Sequence, residues 1–317
     1  MMRFVVGMLS VGLMVLGAGE AFSQSYPNKP IRVLTSSAGG PADFAARLIA
    51  QGISGGLGQP VIIDNRSGII PAVTLSKAAP DGYTLLSSGS NVWITPLMQV
   101  VPYDPTRDFS PISLAAVTPL LLVVYPALPV KSVKDLIALA KARPGELNYA
   151  SSVIGTPPNL AAELFKAMAG VNIVFVPYKG GAAAFNDLIA GRMQLMFPNA
   201  ALAVPNVKSG RVRALAVTTA KPSSLFPDLP TVGASGLPGY ESASTHGVFA
   251  PARTPASIIN RVNQEILRVL SRAEVKERFL DDGTEVVGSS PQEFAVAMKA
   301  EMARIGRLVK DNGIRTE

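Results

Sequence analysis

Short apolar segments alternate with glycine turns and amphipathic stretches along most of this chain. The first unit has an apolar segment at 31–36, a turn at 39–41 with two glycines and a proline, and then a helical stretch. In that stretch the apolar residues recur on one side of a helix, at Phe44, Leu48, Ile49 and Ile53. Alternation of strand and helix is typical of a parallel sheet that carries helices on its faces. The sequence therefore predicts an α/β fold.

The same patterns predict the remaining elements. We expect strands at 31–36, 61–63, 84–87, 112–117, 120–125, 147–150, 173–176, 194–197, 214–218 and 247–250. We expect helices at 133–142, 160–169, 182–190, 201–208 and 257–270, and one that starts in a capping box at 290–293. The apolar residues of the last two helices recur at helical spacing, which predicts core contacts rather than a partner interface. A stretch at 220–239, rich in proline, glycine and serine, predicts a long connection.

Length and composition limit the kinds of protein that this chain can form. Its 317 residues suffice for about two domains, and 48% hydrophobic residues with 16% charged ones can form buried cores. The chain has no cysteine, which excludes disulfide frameworks and thiol catalysis, and a single histidine, His246, leaves a His-rich metal site without ligands. The formal net charge of +7 favours anionic partners.

The first residues have the pattern of an export signal. Arg3 supplies a short positive region, 4–16 is apolar, and Ala21 and Ser23 fit the small positions before a cleavage site. We therefore predict a signal peptide over 1–23, cleaved near residue 23. An uncleaved membrane anchor is the alternative, but the apolar run is shorter than a membrane span.

A second apolar stretch carries no charge between Asp108 and Lys131. Four prolines, at positions 111, 119, 126 and 129, are incompatible with a continuous membrane helix there. The segments 112–117 and 120–125 instead predict two strands buried on both faces. This pair is a candidate for the place where the chain crosses between two domains.

Motifs of catalysis and cofactor binding are weak or missing. Residues 52–56 read Gly-x-Ser-x-Gly, but Ser54 follows a helix and precedes a strand, which reverses the order of a nucleophile elbow. The sequence has no P-loop, no Gly-x-Gly-x-x-Gly, no carboxylates at metal-ligand spacing and no basic residues interleaved with aromatic ones. We therefore expect no enzyme activity, cofactor, metal or nucleic-acid partner. The alternative is an exported serine hydrolase that uses Ser54 with His246.

Three predicted strand-to-helix loops consist mainly of small residues, at 35–43, 151–159 and 179–181. Such loops lie at the carboxyl ends of parallel strands, where a helix start offers free N–H groups to an anion. Two of them facing each other across a cleft predict a site for a small carboxylate. Ordinary βα turns are the alternative reading, because glycine and serine are common in them for conformational reasons.

Several blocks, in order and over essentially the whole mature chain, resemble the periplasmic solute-binding receptors of tripartite tricarboxylate transporters, the Bug receptors. They are 26–32 (YPNKPIR), 57–61 (LGQPV), 65–66 (NR), 77–85 (KAAPDGYTL), 102–105 (PYDP), 108–109 (DF), 160–170, 176–180 (VPYKG), 215–218 (LAVT) and 228–232 (DLPTV). The resemblance implies a two-lobed clamshell of the type II-like periplasmic-binding-protein kind, each lobe a mostly parallel sheet flanked by helices. One lobe would comprise 24–121 with 242–317, and the other 122–241.

The resemblance also implies a ligand site made by backbone and hydroxyl groups of the loops after the first strand of each lobe. Carried over to this chain, the site residues are Ser36, Ser37, Ala38, Gly39, Asp43, Ser90, Asn91, Ser151, Ser152, Thr156, Asn159 and Pro198. The chain departs from the family pattern in its first loop, at Asn159, where a histidine is usual, and at Pro198, where an aspartate is usual. These departures imply a less acidic, more apolar pocket. Trp93, near the site, would either stack on a flat ligand or pack in the core.

By resemblance, the protein is expected to be a monomer of the periplasm that binds a small organic, carboxylate-like solute. Its partners would be the membrane permease subunits of a tripartite transporter. A ligand sensor of the same fold is the alternative, because the sequence does not separate transport from signalling.

Overall fold

The computed structural model of the protein describes residues 26–314, so the predicted signal peptide lies outside the described residues. Within that range the strands, in chain order, are β1 (Ile31–Thr35), β2 (Val61–Asn65), β3 (Thr84–Gly89), β4 (Phe109–Pro119), β5 (Leu121–Val124), β6 (Asn148–Ser151), β7 (Val174–Pro177), β8 (Leu195–Met196), β9 (Arg213–Val217), β10 (Ala243–Pro251) and β11 (Glu285–Val286). The helices are α1 (Pro41–Leu57), α2 (Ile70–Ser76), α3 (Asn91–Ile94), α4 (Val133–Ala142), α5 (Pro157–Ala169), α6 (Gly181–Ile189), α7 (Ala200–Lys208), α8 (Ala256–Leu270), α9 (Ala273–Asp281) and α10 (Pro291–Asn312). None of these helices is long and apolar enough to span a membrane.

The strands form two sheets, one in each lobe. The first sheet has the order β11-β4-β10-β3-β1-β2, and the second has the order β7-β6-β8-β5-β9. Strands β1, β2 and β3 run parallel, as do β6, β7 and β8, because helices connect them. The remaining pairings are antiparallel, so each sheet is mixed. The expected α/β fold with two lobes is confirmed. The expectation of mostly parallel sheets was wrong, because the crossing strands β4 and β5 and the returning strand β10 pair antiparallel with their neighbours.

The chain crosses between the sheets twice. It leaves the first sheet at the end of β4 and enters the second through β5, after the single residue Leu120. It returns after β9 by way of the stretch at 220–239, which contains no strand, and re-enters the first sheet as β10. The predicted long connection and the predicted crossing strands are therefore confirmed.

Helices cover both faces of the sheets. Helices α1 and α8 pack on one face of the first sheet and α10 packs on the other, where Phe294 contacts Trp93 and Phe249. The predicted core stripe of α8, with Ile259 and Ile266 among its members, is buried as expected. One continuous apolar cluster joins the α10 face of the first sheet to the α4 and α5 face of the second. The two lobes therefore share part of their core.

A polar contact also joins the lobes beside the crossing strand β4, with which β11 pairs. One carboxylate oxygen of Glu285, on β11, accepts hydrogen bonds from the Ser224 N–H at 2.7 Å and the Ser223 hydroxyl at 2.7 Å. Both serines belong to the long connection that follows β9. This contact links the edge of the first sheet to the segment that leaves the second.

Some elements escaped the sequence-based prediction. Helices α2, α3 and α9 and the two-residue strand β11 were not predicted. The three helices are short, seven, four and nine residues, and short helices depend on tertiary packing more than on their own periodicity.

Candidate functional site

The loops with candidate site residues follow three strands at their carboxyl ends. The first loop runs from Ser36 to Gly40 between β1 and α1, and Ser90 follows β3. The second loop runs from Ser152 to Thr156 between β6 and α5. Because parallel strands carry their carboxyl ends to one edge of a sheet, each loop lies at the edge where α/β sheets bind ligands.

Asp43 organises the first loop. Its side chain is 4% exposed and accepts hydrogen bonds from the Gly39 N–H at 2.9 Å, Arg47 Nε at 3.0 Å and Asn65 Nδ2 at 2.7 Å. Asn65 also donates to the Ser36 carbonyl at 2.7 Å, so the carboxylate is connected to both ends of the loop. Burial raises the pKa of Asp43, but these hydrogen bonds outweigh it and hold the pKa below its ordinary value. Asp43 is thus an ionised anchor of the loop and has no free oxygen pointing at a ligand.

The remaining candidates in the first loop are accessible. Ser37, Ala38 and Gly39 are exposed, and the Ser37 hydroxyl lies 3.2 Å from that of Ser67. Gly39 has a φ of +86°, a conformation that favours glycine. The loop therefore presents a hydroxyl and small side chains to solvent, on a backbone fixed by Asp43.

The second loop offers fewer backbone donors than its position suggests. Helix α5 begins after the N-cap Thr156 with Pro157 and Pro158, which have no N–H group. Of the first three helical positions, only Asn159 can donate a backbone hydrogen bond to an anion. The Thr156 hydroxyl is already used, because it donates to the Val153 carbonyl at 2.7 Å. The expectation of several free N–H groups at this helix start was therefore wrong.

Asn159 has a structural role in the second loop. It is buried, its Oδ1 accepts from the Gly155 N–H at 2.9 Å, and its Nδ2 donates to the Tyr149 hydroxyl at 2.9 Å. The Tyr149 hydroxyl in turn donates to Glu163. Burial, followed by the bond to Glu163, raises the pKa of Tyr149, so the phenol stays protonated. Asn159 therefore holds the loop in place through a protonated tyrosine.

Ser151 ends β6 with a hydroxyl that has no hydrogen-bond partner among the described residues. Its side chain is 2% exposed, and the neighbouring Ser152 is more accessible. A buried hydroxyl without a partner costs free energy, so such groups usually have a partner in the functional state. This atom is therefore a candidate ligand contact.

Ser90 and Asn91 meet the second loop in a small chamber of about 20 Å³, which holds about one water molecule, so a ligand of several carbon atoms needs the surrounding loops to move apart. The chamber is lined by Ser90, Asn91, Ile94, Gly155, Pro157, Leu160, Ser242, Ala243, Glu301 and Ile305. The lining combines the carboxyl ends of β3 and β6 with the returning chain at Ser242 and with α10. The first loop does not line this chamber, so the structure brings together only part of the predicted set.

Pro198 and Trp93, both named near the site by the sequence, are buried and bonded within the fold. Pro198 is buried, and its carbonyl accepts the Leu121 N–H at 2.9 Å, so it supports the crossing strand. Trp93 is 1% exposed and its Nε1 donates to Glu301 Oε2 at 2.9 Å, so the tryptophan packs in the core and does not present a face to a ligand.

The described residues form neither a nucleophile elbow at Ser54 nor a metal site. Ser54 lies within α1 and donates to the Gln59 carbonyl at 2.9 Å, so it has no nucleophile-elbow geometry. Within residues 26–314, no three His, Asp or Glu side chains converge as metal ligands.

His246 is buried in the first sheet and is not among the residues that line the chamber. It lies on β10 opposite Gly89 of β3, is 6% exposed, and has an Nδ1 without a hydrogen-bond partner in the described part of the chain. Burial lowers the pKa of His246 to about 4, so the ring is neutral at physiological pH. The sequence suggested this histidine only as a partner of Ser54 in a serine hydrolase.

Comparison with known proteins identifies the family. A family model, tripartite tricarboxylate transporter family receptor, matches residues 45–314. Protein BugT of Bordetella pertussis is 33% identical over 315 residues, which cover 96% of this chain and 97% of BugT.

Solved structures agree with this match. The structure of R. palustris Rpa4515 with adipate is 39% identical, with a TM-score of 0.74 over 92% of this chain and 99% of that one. MatC (Rpa3494) from Rhodopseudomonas palustris, solved with bound malate, is 29% identical, with a TM-score of 0.71 over 90% of this chain and 100% of that one.

Proposed function

The chain belongs to the tripartite tricarboxylate transporter receptor family, and on that premise we propose that it is a periplasmic receptor for a small carboxylate. The observation that carries the proposal is the chamber in which Ser90 and Asn91 of one lobe meet Gly155 of the other. The adipate and malate bound by the two relatives support a carboxylate as the ligand.

The ligand would be held by neutral groups. The polar side chains of Ser90, Asn91 and Ser242 line the chamber. The Asn159 N–H, the Ser151 hydroxyl and the Ser37 hydroxyl are candidate donors on the neighbouring loops, outside that lining. No lysine or arginine is among the residues that line the chamber. Pro157 and Pro158 leave the start of α5 with two fewer backbone N–H donors than an ordinary helix start has. Serine hydroxyl groups would therefore donate more of the hydrogen bonds to the anion.

Lobe closure is the proposed mechanism of capture. We place the lobe boundaries in the two crossing segments, with 24–121 and 242–317 in one lobe and 122–241 in the other. Because the chain connects the lobes at two segments, around Leu120 and between β9 and β10, a hinge there lets them rotate as rigid bodies. A ligand that contacts both lobes stabilises the closed form, since it makes its full set of contacts only there.

The proposed setting is the periplasm, reached by export and cleavage near residue 23. The protein would act as a monomer and deliver its solute to the membrane subunits of a tripartite transporter. A ligand sensor differs from this receptor in one respect that can be measured. Uptake of the identified solute by cells would depend on this chain and on the permease subunits together, whereas a sensor would leave uptake intact.

A thermal-shift screen of the mature protein tests the ligand class. The panel contains mono-, di- and tricarboxylates and aromatic acids, and the bound solute is first removed by unfolding and refolding. A ligand at 100 times its Kd adds about 2.7 kcal/mol to the free energy of unfolding, which raises Tm by several degrees. We expect at least one carboxylate to produce such a shift.

Two variants decide whether the shift comes from the chamber. Asn91→Asp places a negative charge at an exposed lining residue and is expected to weaken carboxylate binding at least tenfold. Asn172→Asp makes the same change at an exposed position just before β7. This position is at the amino end of the strand, whereas the candidate loops follow carboxyl ends, so binding is expected to be unchanged. A flat panel, or equal loss in both variants, would contradict the proposal.

A further inference from the structure

A groove of about 870 Å³ lies on the first lobe, between the segment 96–106 that follows α3 and the second half of α10. None of the residues that line the chamber also lines this groove. Small-molecule sites commonly have volumes of roughly 300–1,000 Å³. The groove therefore has room for a ligand without any movement of the lobes.

The lining of the groove is mainly aliphatic. Leu97 and Met98 belong to one wall, and Met302 and Val309 belong to the other. Gly306 on α10 leaves space on the helix surface, because a methyl group added there would meet only Leu97, at 3.9 Å. Methionine side chains adapt to an apolar partner because they are unbranched and flexible. The lining therefore fits a flexible aliphatic chain.

Tyr103 supplies a hydrogen-bond donor in the wall of the groove. It is 6% exposed and its ring packs on Phe109, with 5.5 Å between the ring centroids. Within residues 26–314 its hydroxyl has no hydrogen-bond partner, and its oxygen is not sealed from solvent. Burial raises the pKa of Tyr103 to about 12, so the phenol is protonated at neutral pH. This hydroxyl is available to an acceptor that enters the groove.

Lys310 supplies a positive charge at the rim of the groove. It is an exposed residue in the last turn of α10, and no carboxylate in the described part of the chain pairs with it. Asp104 also lines the groove, but its Oδ1 accepts from the Thr106 N–H at 2.8 Å, the Thr106 hydroxyl at 2.7 Å and the Arg107 N–H at 3.2 Å. The aspartate is thus bound within its own turn, whereas the lysine is not. An anionic head group fits the lysine and the tyrosine together.

We infer that the groove is a second binding site, which takes an aliphatic monocarboxylate of medium chain length. The chain lies on the aliphatic walls, and the carboxylate accepts from the Tyr103 hydroxyl and the Lys310 ammonium. A single head group is expected because Lys310 is the one cation among the described residues that line the groove. The inference goes beyond the proposed function, since it concerns residues outside the chamber and a ligand with a longer apolar part.

Calorimetry of the refolded, solute-free mature protein with a chain-length series tests the inference. The probes are hexanoate, octanoate and decanoate, each kept below the concentration at which it forms micelles. Because each buried methylene strengthens binding about fourfold, decanoate should bind roughly tenfold more tightly than octanoate. Decyltrimethylammonium has the same chain with a cationic head and should bind about tenfold more weakly than decanoate.

Three variants test the groove itself. Tyr103→Phe keeps the ring but removes the hydroxyl, and Lys310→Gln removes the charge, so each should weaken decanoate binding about tenfold. Gly306→Leu fills the groove from a helical position that favours leucine over glycine, and should abolish binding. Lys299→Gln is the matched control, because it removes a charge at an exposed position of the same helix outside the lining. It should leave the affinity for decanoate unchanged.

The end of the chain needs its own control, because residues 315–317 follow Ile314, which lines the groove. A chain that stops at Ile314 should bind decanoate as tightly as the full mature chain. A gain of about tenfold or more on truncation would overturn the inference, since the removed residues would then be the occupant of the groove.

Other results would overturn the inference as well. These are no binding of decanoate, equal affinity across the chain-length series, tighter binding of the cationic amphiphile, or equal losses in Lys310→Gln and Lys299→Gln. The proposed function is tested separately, because Tyr103→Phe should leave binding of small carboxylates intact and Asn91→Asp should leave binding of decanoate intact.

Discussion

Asp43→Asn tests whether one buried carboxylate holds the first loop. The asparagine keeps the size of the side chain but has one acceptor oxygen, whereas Asp43 accepts from Gly39, Arg47 and Asn65 at 2.9, 3.0 and 2.7 Å. At least one of these donors then faces an NH₂ group. A hydrogen bond to a charged group contributes roughly 1.5–3 kcal/mol, and the contribution of the half-exposed Arg47 is at the low end. We expect the free energy of unfolding to fall by about 3 kcal/mol at pH 7.

Thermal unfolding followed by circular dichroism measures this loss. For a protein of this size, about 3 kcal/mol corresponds to a fall in Tm of roughly 5 °C. The loss also depends on pH, with a sign that follows from the pKa. Because the folded-state pKa of Asp43 is below its ordinary value, its stabilisation is complete at neutral pH and disappears as the pH falls through that folded pKa. The difference between the wild type and Asp43→Asn should therefore narrow below about pH 4.

Asp281→Asn is the control, because Asp281 is an exposed aspartate at the end of α9. It is expected to change the free energy of unfolding by less than about 0.5 kcal/mol. The reasoning is refuted if Asp43→Asn costs no more than this control. It is also refuted if the difference from wild type stays constant down to pH 3, because the cost would then not come from the charge.

Two further predictions concern packing and burial. Gly52→Ala places a methyl 2.5 Å from Val269 Cγ1 and should lower the free energy of unfolding, measured by chemical denaturation, by about 1–3 kcal/mol. Gly55→Ala, three residues further along, adds a methyl with no atom within 4 Å and should raise the free energy of unfolding by about 0.5–1 kcal/mol. Equal effects of the two variants would contradict the packing of α1 on α8. Burial raises the pKa of Glu301 despite the hydrogen bond from Trp93, so ionisation of this carboxyl lowers the stability of the fold as the pH rises. Glu301→Gln should therefore raise Tm at pH 8, and the gain in Tm should vanish below about pH 4. A gain in Tm that does not depend on pH would refute the assignment.

Local sequence patterns were sufficient for most elements. The predicted helix at 133–142 is α4 with the same bounds, and α10 begins at the capping box formed by Ser290 and Glu293. The predicted helix at 160–169 ends at the expected residue, because Gly170 closes α5 in the left-handed conformation. These signals depend on neighbours a few residues apart, so they can be read without knowledge of the fold.

The site was predicted less completely than the elements. Loop positions followed from strand and helix order, but the bonding of each side chain did not. Asp43 and Asn159 were expected to contact ligand, yet both are bound into their own loops. Trp93 remained ambiguous because a tryptophan that stacks on a ligand and one that packs in a core look alike in sequence.

The sequence by itself determined the alternation of strand and helix, the ends of most helices and the resemblance to a receptor family. Only the tertiary structure decided that Gly89 and His246 pair on neighbouring strands, that Glu301 and Gly155 line one chamber, and that the Ser151 hydroxyl has no partner among residues 26–314. The physical reason is distance along the chain. Periodicity and capping act over one or two turns, whereas residues more than 100 positions apart meet only after both lobes have packed, and which polar atoms then lack a partner depends on all the others.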